Sequence, residues 1–176
     1  MKPLFIAAFA TLMCAAAPNH AAAQDFGAAF GGFSTGSEDP IQIEADRLEV
    51  RDPEKMAVYT GNVKVRQGAT VMEAPELKVF YQQGGPEPGA PGSQVTRIEA
   101  GPNVLVSSGK QTASGNQALL DMAQEVITIT GNVVLTQGEN IVRGQKLVVN
   151  LKTKQGRMEG GRVQTLITPG GGGAGQ

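Results

Sequence analysis

The sequence predicts an all-β protein built from repeated antiparallel strand layers, and three observations support this class. Apolar and polar residues alternate with period two from Ile41 onward, as in strands that bury one face. Turn residues such as Asp52-Pro53 and Gln67-Gly68 recur between the alternating segments. The segment 59–68, YTGNVKVRQG, returns as residues 129–138, ITGNVVLTQG. This spacing favours a sandwich, roll or solenoid over alternating helices and strands.

The repeat has an even offset of seventy residues and needs no gap. Further along the chain, Leu77 corresponds to Leu147, and Val79 keeps the same register. An even offset preserves the alternation of a strand, so each inward-facing residue has an inward-facing counterpart. Residues 98–106 and 158–166 resemble degenerate copies of the same unit. We therefore expect several stacked layers of strand.

The first 23 residues have the features of a signal peptide. A short positively charged start precedes the apolar residues 4–17, which are too few to span a membrane. Three alanines precede Gln24, so we expect cleavage after Ala23. The alternative is a lipoprotein anchored at Cys14, but a large residue precedes this cysteine where a small one is expected.

Cleavage would remove Cys14 and His20, the only cysteine and the only histidine. The remaining chain would have no disulfide, no Ser-His or Cys nucleophile arrangement, and no thiolate or imidazole ligand for zinc. We expect no enzyme activity, no catalytic residues, no metal and no cofactor. The remaining net charge of minus two, after loss of Lys2, is not that of a nucleic-acid-binding protein.

Charge is distributed unevenly along the chain. Residues 38–54 carry a net charge of minus five, and residues 140–176 carry plus five. These segments are either ordinary solvated faces or complementary ends for association.

Residues 24–39 are rich in glycine and contain Phe26, Phe30 and Phe33 without strand alternation. We interpret this segment as a flexible leader, with a partner-binding motif as the alternative. The folded domain is expected at residues 40–169, followed by a flexible glycine tail at 170–176. Strands are expected at 41–50, 56–66, 69–81, 95–106, 110–121, 125–136, 139–151 and 155–168.

Some strands are long enough to bend at a bulge. Bends are expected near 73–75 and, in the second repeat, near 143–144. Residues 118–125 have helix-forming composition, yet they align with residues 48–55, so we predict strand and turn. The Gly- and Pro-rich residues 82–93 are expected to form an inserted loop.

One face of the central strands is apolar. Its residues are odd-numbered and mostly aliphatic, and the odd numbering is expected to continue through Val71 and Ile141. Such a face is either the closed core of a sandwich or the lining of a ligand groove. The residues that define it in the central repeat are Val63, Val65, Val133 and Leu135.

The chain resembles the organic-solvent-tolerance-like N-terminal domain family of periplasmic lipopolysaccharide-transport proteins. The resemblance covers residues 40–169 and rests on PIxIExD at 40–46, TGNV at 60–63 and 130–133, and RVxTxxxP at 162–169. It implies an open, twisted β-jellyroll that carries lipopolysaccharide from the inner to the outer membrane, with the acyl chains inside.

The resemblance also implies lipid contacts and partners. Together with the inward valines and leucine, the expected lipid-binding residues are Ile41, Ile43, Val63, Val65, Val106, Leu120, Met122, Val133 and Leu135. The partners would be lipid A, a jellyroll anchored in the inner membrane, the outer-membrane translocon and further copies of the chain stacked head to tail. Basic residues near the C-terminus could instead pair with lipid A phosphates.

Two other functions remain open from the residues themselves. A structural β-roll could self-assemble without lipid. A sugar-cleaving enzyme could use the paired carboxylates Glu44 and Asp46, which share strand parity.

Overall fold

The computed structural model describes Phe30, Phe33 and residues 39–82 and 94–168. These residues form twelve strands, and every pair of neighbouring strands is antiparallel. The all-β prediction is therefore confirmed. The strands are β1 (Gln42–Glu44), β2 (Arg47–Arg51), β3 (Met56–Gln67), β4 (Thr70–Gln82), β5 (Gln94–Gly101), β6 (Val104–Ser108), β7 (Gln111–Gly115), β8 (Gln117–Asp121), β9 (Val126–Gln137), β10 (Asn140–Asn150), β11 (Gln155–Glu159) and β12 (Gln164–Leu166).

The sheet is folded into two layers that share four long strands. Strands β3, β4, β9 and β10 run through both layers. The first layer has the order β2-β3-β4-β5-β8-β9-β10-β11, and the second has the order β1-β3-β4-β6-β7-β9-β10-β12. The molecule is thus a bent sheet whose inner faces oppose each other, as in a sandwich.

The long strands bend at bulges that the repeat places in both halves. In β3, Gly61 and Asn62 lie opposite the single residue Pro75, because the register shifts between Thr60 and Val63. The pairing of β9 with β10 shifts in the same way beside Gly144. The expected bends are therefore confirmed. An extra residue on one strand increases the local twist and turns the chain into the second layer.

The Thr-Gly-Asn motif forms the corner between the layers. Gly61 and Gly131 both have φ of +81°, a conformation that glycine adopts without strain. The amide of Asp46 donates to the carbonyl of Gly61 at 3.0 Å, and the amide of Asn116 donates to the carbonyl of Thr130 at 2.8 Å. Neighbouring strands therefore turn the corner together, and the two motif copies mark where they align.

The corner also explains why four expected strands are each two strands. Residues 41–50, for example, divide into β1 and β2 beside Asp46, whose amide hydrogen is used at the corner. Residues 95–106, 110–121 and 155–168 divide in the same manner. The prediction for residues 118–125 is confirmed, because they form most of β8 and the following turn.

The expected odd numbering of the inner face is wrong for the first half of β4 and of β10. There Met72 and Val142 are buried, whereas Val71 and Ile141 are only half-buried. At each bulge, two residues of β3 or β9 lie opposite a single residue of β4 or β10. The strand that contributes the single residue changes from even-numbered to odd-numbered inner residues across the bulge. Beyond the bulge, Leu77 and Leu147 return to the odd numbering and are fully buried.

One hydrophobic core fills the space between the layers, and it includes two aromatic side chains from outside the strands. Phe30 is fully buried and Phe33 is 4% exposed, and both belong to this core. For these two residues the structure differs from the expectation of a flexible leader. The rest of residues 1–38, the inserted loop at 83–93 and residues 169–176 lie outside the described residues.

Candidate functional site: the apolar space between the layers

The nine expected lipid-binding residues all face the space between the layers or its rim. Their positions fall into three groups by exposure. Ile43 and Met122 are half-buried and pack against the core. Ile41 lies at the rim and is 42% exposed. The fully enclosed members are Val63, Val65, Val106, Leu120, Val133 and Leu135.

Four of the nine residues meet at one small cavity. Ile41, Val65, Leu120 and Met122 line it together with Phe33. The cavity measures about 10 Å³, which is at the limit for holding one water molecule. Its walls come from both layers, since Val65 belongs to the second and Leu120 to the first. The inner space is therefore apolar, shared by both layers and filled by the protein's own side chains.

The apolar inner face continues to an uncovered edge at β2. Leu48 pairs with Tyr59 and Val50 with Ala57, so these side chains share the inner face of the first layer. Leu48 is nevertheless 49% exposed. Among the described strands, β2 has a neighbour on one side alone, which is β3. The space between the layers is thus open at this end.

Three buried polar groups interrupt the apolar lining, and of these the sequence placed Tyr81 alone on the inner face. Gln67 is 5% exposed, and its side-chain amide donates to the carbonyl of Asp39 at 3.0 Å. Thr70 is 1% exposed. The hydroxyl of Tyr81 is buried and has no hydrogen-bond partner among the described residues. Gln67 also occupies an odd-numbered position, so the alternation that placed Tyr81 on the inner face could have identified it as well.

A larger concavity lies elsewhere, on the outer face of the first layer. It has a volume of about 500 Å³ and is lined by outward residues that include Glu76, Lys78 and Thr128. Two smaller concavities, of about 420 and 250 Å³, lie at the two bulges. None of the three reaches the cavity beside Phe33.

Charged side chains lie along both edges of the first layer, on β2 and on β11. On β2, Arg51 donates to Glu49 at 2.7 Å, and this hydrogen bond lowers the pKa of Glu49 and raises the pKa of Arg51. Next to this strand, a hydrogen bond from Lys55 to Asp52 raises the pKa of Lys55. At the opposite edge, Arg157 contacts Glu159 on β11 at 3.4 Å. Each edge strand therefore carries ion pairs on its surface and pairs with a described strand on one side alone.

The carboxylates considered for sugar chemistry have structural surroundings. Asp46 accepts a hydrogen bond from the side chain of Asn62 at 2.9 Å, at the corner between the layers. Glu44 lies on β1 opposite Lys64. In the part of the chain that the structure describes, no group of three potential ligands could hold a metal ion. No helix within the described ranges is long and apolar enough to cross a membrane.

Comparison with known proteins gives consistent results. Residues 42–155 match the model of the family described as LptA/(LptD N-terminal domain) LPS transport protein. An uncharacterized protein of Rhizobium meliloti (strain 1021) is 39% identical over 141 residues, covering 78% of this chain and 76% of that protein. The lipopolysaccharide export system protein LptA of Escherichia coli (strain K12) is 27% identical over 143 residues, covering 77% and 75%.

A solved structure has the same fold. The crystal structure of LptH, the LptA homologous periplasmic component of the lipopolysaccharide transport device of Pseudomonas aeruginosa, matches with a TM-score of 0.63 at 18% identity. The match covers 75% of this chain and 97% of that chain. It confirms the β-jellyroll architecture. The family is one of transport proteins and not of enzymes. On this evidence the chain belongs to the LptA/(LptD N-terminal domain) LPS transport protein family.

Proposed function

We propose that this protein is a periplasmic carrier of lipopolysaccharide that holds the acyl chains between its two layers. The observation that carries the proposal is the largely aliphatic lining shared by both layers, in a chain of this transport family. Acyl chains require apolar area and no specific hydrogen bonds. The carrier would be released into the periplasm after cleavage of its signal peptide near Ala23.

The carrier would also form a bridge by stacking end to end. Strands β1 and β2 at one end, and β11 and β12 at the other, each pair with a single described strand. Such edges can accept a strand from another chain. Apolar side chains are exposed at both ends, including Leu48 at one and Leu166 at the other, which is 61% exposed. The negative and positive terminal segments would favour head-to-tail order.

The proposed partners follow from this arrangement. One end would dock a jellyroll anchored in the inner membrane, and the other would dock the outer-membrane translocon. Further copies of the chain could extend the bridge between them. Lys146, Lys152, Lys154 and Arg157 on the basic end could contact either an acidic neighbouring chain or lipid A phosphates.

Photo-crosslinking tests the cargo. A photoreactive residue at Leu120 or Ile43 should capture lipopolysaccharide in cells, because both positions face the inner space. The control is Lys64, which lies on the outer face of β3 in an ion pair with Glu73 at 2.8 Å. Capture at Lys64 but not at Leu120 would refute binding between the layers. Filaments without bound acyl chains would support the structural β-roll instead.

Sedimentation analysis tests the stacking. We expect Leu48→Glu to dissociate oligomers, because it places a charge on the apolar face at the exposed β2 edge. Leu105→Glu is the matched control, since Leu105 is 40% exposed but belongs to β6, which has a strand on both sides. High salt should also weaken association, because exposed charges are screened beyond about 8 Å at physiological ionic strength. Equal oligomer size for both variants would contradict docking through this edge.

A further inference from the structure

We propose that Phe30 and Phe33 form a plug that closes the groove and is displaced when an acyl chain enters. The inference rests on the proposed function and concerns the regulation of the same site. It assigns a role to the phenylalanines that precede the first strand, which neither the repeat nor the jellyroll architecture requires. We call the side chains of Phe30 and Phe33 the plug.

The plug residues occupy the space that an acyl chain would need. Phe30 is fully buried, and Phe33 is 4% exposed. Phe33 lines the small cavity with Ile41, Leu120 and Met122, three of the expected lipid-binding residues. Sites for small organic ligands usually have volumes of about 300–1,000 Å³, whereas this cavity has about 10 Å³. An acyl chain therefore cannot enter beside Phe33 unless the ring moves.

The plug touches both layers where they face each other. Besides Phe33, the cavity is lined by Val65 and Met72 from the second layer and by Ile98 from the first. These side chains are aliphatic or thioether groups, which accept an aromatic ring or an alkyl chain by the same nondirectional apolar contact. The site therefore does not distinguish strongly between its own phenylalanine and an acyl chain, so the two can compete.

A polar anchor holds the chain that follows the plug. The side chain of Gln67 is almost fully buried and donates to the carbonyl of Asp39 at 3.0 Å. Asp39 lies six positions after Phe33, and an extended chain of six Cα–Cα steps spans about 20 Å. The plug can therefore leave the groove while Asp39 stays attached to β3.

The corresponding place in the second repeat has different surroundings from this anchor. Gly68 lies next to the Asp39 carboxylate, and a Cβ on Gly68 would come within 2.6 Å of that side chain. At its counterpart Gly138, no described atom lies within 4 Å of the equivalent Cβ position, and the Gly138 amide donates to the carbonyl of Lys110 at 3.2 Å. Gln137, the counterpart of Gln67, is half-buried. The buried side-chain anchor is therefore a difference between the two repeats, and it holds the chain that follows the plug.

A plug of this kind has a measurable effect on affinity. When the binding-competent state is only partly populated, the apparent dissociation constant rises by the reciprocal of that fraction. We expect the double variant Phe30→Ser with Phe33→Ser to bind purified rough lipopolysaccharide roughly tenfold more tightly, as for a groove open in about a tenth of wild-type molecules. The matched control is Phe80→Leu, because Phe80 does not line the small cavity. The Arg97 guanidinium lies over the Phe80 ring, 4.1 Å from the centroid of that ring.

Fluorine NMR tests displacement without removing the plug. The chain has six phenylalanines, so 4-fluorophenylalanine gives few resonances, and single Phe→Leu variants assign them. Titration with rough lipopolysaccharide should move the Phe30 and Phe33 signals toward their values in the unfolded chain, while the Phe80 signal stays in place. This measurement uses the wild-type sequence, so it remains valid even where the serine variant fails to fold.

The outcomes separate this inference from the proposed function. Tighter binding by the serine variant together with displaced Phe30 and Phe33 signals supports the plug. Binding that leaves both signals unchanged overturns the plug and leaves the carrier function in place. A serine variant that folds but binds no more tightly than wild type also overturns the plug. If neither the wild type nor the variant binds rough lipopolysaccharide, the carrier function is overturned, and the displacement of the plug is overturned with it.

Discussion

The two repeats form the same bend but differ in what surrounds it. Leu77 and Leu147 are both fully buried beyond the bend, and the register shift has the same form in both. The outer surfaces differ: Lys64 pairs with Glu73 at 2.8 Å in the first repeat, whereas Val134 lies opposite Arg143 in the second. The shared features are those that close packing and backbone geometry require.

The two repeats also differ at the turn of their long hairpins, β3–β4 and β9–β10. Gln67 in the first repeat is buried and holds Asp39, whereas Gln137 in the second is half-buried. The difference shows that one hairpin has been used to anchor a preceding segment. The same strand architecture thus holds the preceding segment through a buried side chain in one half and through a backbone hydrogen bond from Gly138 to Lys110 in the other.

Truncation of the matched leucines should have the largest effect on stability. Leu77→Ala and Leu147→Ala should each lower the free energy of unfolding by about 3 kcal/mol, because each leaves a cavity in a fully buried position. Chemical denaturation followed by circular dichroism measures both. Near-equal losses would show equal packing of the repeats. A loss below about 1 kcal/mol at either position would contradict the shared core.

Alanine at the corner glycine should have the next largest effect. At Gly131, with φ of +81°, a Cβ would lie 2.8 Å from the Cβ of Asn116. Gly131→Ala should therefore cost roughly 3 kcal/mol, from backbone strain and overpacking. Gly138→Ala is the control, because φ is +59° there and nothing lies within 4 Å; it should cost about 1 kcal/mol. Equal melting temperatures for these variants would argue against a sterically tight corner.

Removal of the Tyr81 hydroxyl should stabilise the protein. Tyr81 corresponds to Leu151 in the second repeat, and both side chains are buried. The Tyr81 hydroxyl has no partner in the described structure, and a buried, unpaired hydroxyl opposes folding. Tyr81→Phe should raise the free energy of unfolding by about 1 kcal/mol. A loss of stability in thermal unfolding would show that the hydroxyl is hydrogen-bonded in solution.

Transfer of the outer charge pair should have the smallest effect. Val134→Glu places a carboxylate opposite Arg143, as Glu73 lies opposite Lys64. Relative to the control Val134→Gln, we expect a gain of about 0.5 kcal/mol. The gain should disappear in 1 M salt, where screening acts within about 3 Å. A gain that persists in high salt would indicate an interaction other than charge pairing.

Much of this fold was predictable because its determinants are local. Alternation and turn residues identified each long strand, and the repeat correctly overrode the helical composition of residues 118–125. The inner positions of β3 and β9 were also predicted, including Val65 and Leu135. The parity of Val71 and Ile141 was predicted wrongly. The side of a bulge that holds the extra residue depends on the partner strand, and a single strand does not encode that information.

The sequence by itself determined the repeat, the all-β class and the aliphatic character of the inner face, because strand periodicity places neighbouring side chains on opposite faces. The tertiary structure decided what fills the space between those faces. Phe30 and Phe33 precede the first strand and show no strand alternation, yet they are buried against residues from both layers. Burial of this kind depends on contacts between distant segments, which become visible only when the layers are brought together.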